Sequence, residues 1–143
     1  MKRILATFFL VTLAAPALAE VDMTSLQGLY GQVGDPEWSC EVNPVELSVI
    51  PSPPHLVFQF SQPGRVYDGR VTDHAVYDVR EVTSTGIVAR LEGETRRAPD
   101  GSVVLWVLRP WPDNDGFCWG RTDWSILQCV SPHVRCQDNA PTS

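Results

Sequence analysis

The residues with types and spacing suited to chemistry concentrate in residues 111–136, WPDNDGFCWGRTDWSILQCVSPHVRC. This stretch holds Cys118, Cys129 and Cys136, three of the four cysteines, together with His133. Cys129, His133 and Cys136 have the spacing of zinc ligands, with Cys118 as a fourth. The competing chemistry is oxidation: four cysteines in a small exported domain usually form two disulfides. An oxidising compartment disfavours four free thiolates, so two cystines and no metal are expected. Sequence alone leaves three connectivities open. The expected pairs are Cys129–Cys136, with Ser131-Pro132 turning the short loop, and Cys40–Cys118, tying the first third of the chain to this segment. In the chain-entropy model these contribute about 2.5 and 4.5 kcal/mol.

Asp73-His74 is an adjacent acid–histidine pair, with Ser84 and Ser125 among the available hydroxyls. A nucleophile needs a base and an orienting acid within hydrogen-bond reach. No GxSxG elbow supplies that geometry, so His74 reads as a strand-end side chain. Asp113 and Asp115 beside Gly116 match a fragment of a calcium loop, but its other ligand positions are missing and a turn is expected. No glycine loop opens a helix after a strand, which argues against a nucleotide site. No catalytic residue, metal or cofactor is assigned.

Five tryptophans are dense for 143 residues. Packing over the cystines is the plainer explanation of Trp106, Trp111, Trp119 and Trp124. The functional one is a ligand groove or partner surface, because tryptophan supplies large amphipathic area. Trp38, Trp106, Trp111 and Trp119 are the candidate binding residues. Trp38 and Trp111 sit beside loop signals and are expected to be the most exposed.

The elements that position these residues begin with a targeting segment. Lys2 and Arg3 precede an apolar run over residues 4–15, too short for a membrane span, and Ala17-Leu18-Ala19 is an A-x-A cleavage site. Residues 1–19 are therefore expected to be a cleaved signal peptide, leaving a periplasmic or secreted chain with no membrane insertion. Beyond residue 19 there are nine arginines, no lysine and seventeen acids, a formal charge of −8. Scattered arginines on an acidic chain make a poor nucleic-acid ligand, since phosphate binding needs a concentrated basic surface.

Residues 22–28 (DMTSLQG) form one helical turn, capped by Asp22 or Thr24, with Leu26 inward. A short strand follows over residues 29–33. Period-two alternation then places Val45, Leu47 and Val49 on one face, and likewise Leu56, Phe58 and Phe60. Gln62-Pro63-Gly64-Arg65 reads as a turn, and residues 65–82 as two strands broken near 72–74, with Ala75, Tyr77 and Val79 inward. Ile87, Ala89 and Leu91 alternate with polar partners, and Arg90, Glu92, Glu94 and Arg96 form an outward charged stripe. Residues 103–108 and 117–121 are further strands. About seven strands, one helical turn and no amphipathic helix predict an all-β fold, a small antiparallel barrel or sandwich with two disulfides. One domain is expected over residues 20–136, with a flexible tail over 137–143.

A helical turn leading into Gly28-Leu29-Tyr30 resembles the lipocalin motif glycine-x-tryptophan on the first barrel strand. Thr72-Asp73-His74-Ala75-Val76-Tyr77 resembles that family's T-D-Y-x-x-Y motif. Arg121, after a late strand, stands where lipocalins keep an arginine against the first-strand tryptophan. Tyrosine replaces the tryptophan here, and histidine the first tyrosine. The resemblance implies a calycin-like barrel with a cavity for a small apolar ligand and no catalytic residue.

The expected function is an exported, non-catalytic binding module for a small apolar ligand. The alternative is a protein-interaction role, such as inhibition of a periplasmic protease or lysozyme, or an accessory subunit of an envelope complex. A hydrolase using His74 and Asp73 ranks third.

Overall fold

A computed structural model describes residues 18–65 and 69–137. The expected signal segment, up to residue 17, and the tail beyond Gln137 lie outside the described residues. The described residues form eight antiparallel strands: β1 (Gly28–Gln32), β2 (Val45–Pro51), β3 (Pro54–Arg65), β4 (Val71–Val82), β5 (Ile87–Leu91), β6 (Trp106–Pro110), β7 (Gly116–Arg121) and β8 (Val130–Arg135). Each strand pairs with its sequence neighbour, and β8 pairs back with β1, closing a barrel. Closure leaves no sheet edge to protect.

Alternation drives the closure. Val45, Leu47, Leu56, Phe58, Val79, Ile87, Ala89, Leu108, Phe117 and Trp119 are buried, one inward residue after another. An eight-stranded barrel has an interior that side chains fill, or that admits one small ligand.

Up-and-down order sorts the loops. The connections after β2, β4 and β6 share one end with the N-terminal segment. Those after β1, β3, β5 and β7 share the other. At the first end a 3-10 turn, Met23–Leu26, lies across the barrel, with Asp22 accepting from the Thr24 amide at 3.0 Å. Leu26 is fully buried and accepts the Tyr30 hydroxyl at its carbonyl, 2.7 Å away. Val21 and Met23 pack against the same core, so this end is sealed. Burying one leucine stabilises by about 2 kcal/mol.

Five expectations of detail are corrected. There are eight strands rather than about seven, because residues 130–135, read as a turn within a short cystine loop, form β8. That strand also decides the disulfides. Six extended residues separate Cys129 from Cys136 by roughly 20 Å, far beyond cystine reach. The observed pairs are Cys118–Cys129, joining β7 to the start of β8, and Cys40–Cys136, joining the β1–β2 loop to the end of β8. Gly31 permits the second: a Cβ there would collide with the Cys40 backbone. Residues 71–82 make one continuous strand, and the 62–65 turn is a bulged part of β3, its register shifting between Gln59 and Gly64. Finally, β6 begins at Trp106, while Val103 only bridges to Arg97.

Candidate functional site

The unsealed end contains a cavity of about 390 Å³. Six phenylalanine, tyrosine and tryptophan rings contribute to its walls. Phe58 and Phe60 come from β3, Tyr77 from β4, Trp106 from β6 and Trp119 from β7. Trp38 comes from the Pro36–Trp38 3-10 turn, which Asp35 caps by accepting from the Glu37 amide at 3.0 Å. That turn lays Trp38 edge-on to Phe60, with ring centres 5.3 Å apart, and across Gly64. A Cβ at Gly64 would run into the indole, so glycine there lets the ring close on the wall. Tyr77 and Trp119 stack at 4.8 Å and 24°. Trp106 meets Trp119 edge-on at 6.2 Å. Offset and edge-to-face pairs of this kind add about 0.5–1.5 kcal/mol each beyond area burial.

Polar groups interrupt the aromatic wall. Glu94 is buried and accepts four hydrogen bonds: from the Arg96 Nε at 2.8 Å, the Arg96 Nη2 at 2.7 Å, the Arg96 amide at 3.0 Å and the Trp106 Nε1 at 2.9 Å. Burial pushes the Glu94 carboxyl up, but the Arg96 and Trp106 hydrogen bonds and the Arg96 charge overcome it and hold the group at about 2. Arg96 itself lines the cavity and lies 4.8 Å over the Trp106 ring. The expected outward stripe is thus corrected at its end. β5 stops at Leu91, and Gly93, with φ of 75°, turns the chain so that Glu94 points inward. Strand alternation cannot be carried through a left-handed glycine.

His133, from β8, stacks flat on Phe117 at 4.7 Å and 8°. Its Nδ1 lies 2.7 Å from the Ser131 carbonyl. Burial lowers its pKa and outweighs the opposing Ser131 contact, keeping the ring neutral near pH 7. Gln32, Asn43 and Ser131 complete the polar lining.

No family model, curated protein or solved structure matches this chain.

Three of the four candidate tryptophans, Trp38, Trp106 and Trp119, therefore share the cavity. Trp111 does not. It sits in the β6–β7 connection at the sealed end, half-buried against Gly116. Trp124 packs outside the cavity on Trp106, beneath Arg121. Arg121 pairs with Asp123 at 2.7 Å, so it is not the cation on the first-strand aromatic; Arg135 is, 4.9 Å over Tyr30. The thiols with zinc-ligand spacing are consumed in disulfides. Asp73 binds the His74 Nδ1 at 2.7 Å, and the nearby Thr72 hydroxyl engages the His74 backbone rather than its ring.

Phe58, Phe60 and Tyr77 were legible as inward residues but not as a site. Their contribution depends on strands brought together around the circumference.

Proposed function

We infer that the protein is a small exported binding module whose open barrel end takes a mainly apolar, ring-bearing ligand and does no chemistry on it. One observation carries this reading: an aromatic-walled cavity of about 390 Å³ lies at one end of a barrel whose other end is plugged by the Met23–Leu26 turn. Its volume falls within the range of small-molecule sites. Two disulfides accord with an oxidising compartment and with the N-terminal targeting pattern. A calycin-like relationship is supported by the 3-10 turn before β1 and by an arginine over the first-strand aromatic, although that arginine is Arg135.

The test is titration with N-phenyl-1-naphthylamine, which fluoresces in apolar sites, alongside native mass spectrometry of protein purified from its own compartment. Saturable one-to-one binding is expected, weakened at least tenfold in Trp106→Ala and unchanged in Trp111→Phe. Equal binding by native protein and Trp106→Ala would end this reading.

A protein partner is a second reading, favoured by the β7–β8 loop. Leu127 is 89% exposed and Ile126 69%, on a loop spanned by Cys118–Cys129. Arg109 braces it from below, donating to the Ile126 carbonyl at 2.9 Å and the Gln128 carbonyl at 2.7 Å. Leu127→Ser should abolish capture of any partner while leaving probe binding intact.

A further inference from the structure

We propose that the cavity selects a neutral, flat, N–H- or O–H-bearing aromatic that donates one hydrogen bond to the Nε2 of His133. This rests on the reading of the open end as a ligand site and names its ligand class.

The tautomer follows from geometry. A carbonyl oxygen only accepts, so the Nδ1 lying 2.7 Å from the Ser131 carbonyl carries the proton. In the neutral ring Nε2 then holds a lone pair. Nε2 meets no donor among the described residues, and no sealed-off side-chain nitrogen or oxygen lacks a partner. His133 itself lines the cavity, and the proposed donor approaches its Nε2 from that space. Its direction is fixed from two sides. Phe117 lies parallel beneath the ring, and Ser131, with φ of 47°, turns its carbonyl towards Nδ1 where the β7–β8 register shifts. A non-glycine residue held in the left-handed region is uncommon and marks a constrained position.

Charge decides the rest of the ligand class. The neighbours of His133 across β7 and β1, Phe117 and Gln32, are uncharged. Among the described residues, the charged groups across the cavity are Arg96 and its partner Glu94, which pair with each other. Burial raises the pKa of Tyr77, so its phenol stays protonated. The described lining thus carries one pair of opposite charges, and a buried ionic ligand would find no further countercharge among the described residues. Flat walls formed by Tyr77, Trp119, Trp106 and Trp38 suit a ring.

Indole and 1-methylindole separate this proposal from its alternatives. They share a ring system and differ in one N–H, and neither titrates between pH 5 and 8. Equilibrium dialysis should give about tenfold tighter binding of indole to the native protein at pH 8, the worth of one buried hydrogen bond. The preference should disappear in His133→Phe, which keeps a flat ring on Phe117. In the native protein it should fade on acidification below the ordinary imidazole value of about 6.5, because protonated Nε2 becomes a donor. Equal affinity for the two probes, or a preference that survives in His133→Phe or at low pH, overturns the proposal while leaving the cavity reading intact. Failure of both probes to bind overturns both.

Discussion

The Arg135 guanidinium lies 4.9 Å from the centre of the Tyr30 ring, and this contact joins the last strand of the barrel to the first. From there Arg135 donates to the Gln27 carbonyl at 2.7 Å, the Ser25 carbonyl at 2.9 Å and the Asn114 carbonyl at 3.2 Å. One side chain therefore holds the N-terminal turn, the β6–β7 connection and the closing seam.

Arg135→Met keeps the aliphatic stem and removes the donors. Three carbonyls then lose a charged partner. A destabilisation of about 2–3 kcal/mol is expected in urea titration. A change below about 0.5 kcal/mol would show that the plug is held by Leu26 burial alone.

Glu94→Gln leaves Arg96 without its carboxylate beside the cavity. Arg96 is only partly buried, so removing its charged acceptor is expected to cost about 2 kcal/mol. The pH dependence follows from the lowered carboxyl: its contribution is complete above the unfolded-state value of about 4.3 and is lost as pH falls towards 2. Acid titration of native protein should therefore show a transition in that window that is missing in Glu94→Gln. Replacing both residues by apolar ones, Glu94→Leu with Arg96→Met, is expected to recover most of the loss.

The two cystines constrain loops of very different length, with sequence separations of 96 and 11. Opening Cys40–Cys136 with paired serines should cost about 4.7 kcal/mol and opening Cys118–Cys129 about 2.8 kcal/mol in the chain-entropy model. Peptide mapping without reduction should recover these two linkages. Recovery of Cys129–Cys136 would contradict the β8 strand itself.

Gly64→Ala places a methyl group against the Trp38 indole. The ring must swing away from the rim, so ligand affinity should fall several-fold with little change in thermal midpoint. Trp38→Ala should match it in affinity, and the double variant should be no worse than either alone, since both act through one ring.

Much of the fold was legible because strand alternation is a local property. Val45, Leu47, Leu56, Phe58, Tyr77 and Val79 declare their inward face with no knowledge of their neighbours. Leu26 in its capped turn was equally readable. β8 was not, because Ser131-Pro132 carries turn chemistry that pairing with β7 and β1 overrides. The misread strand then misassigned both cystines.

Sequence by itself determined an all-β chain, many of its inward residues and its oxidised cysteines, and it named Trp38, Trp106 and Trp119 only alongside Trp111. Those features depend on composition and on spacing along a few residues. Tertiary structure alone decided that the barrel closes, which cysteine meets which, that Trp111 belongs to the sealed end, and that Arg96 and His133 line the same space as Trp38. Closure of the sheet brings together residues as far apart in the chain as Cys40 and Cys136, separated by 96 positions, and no local pattern records which end of the barrel a loop will reach.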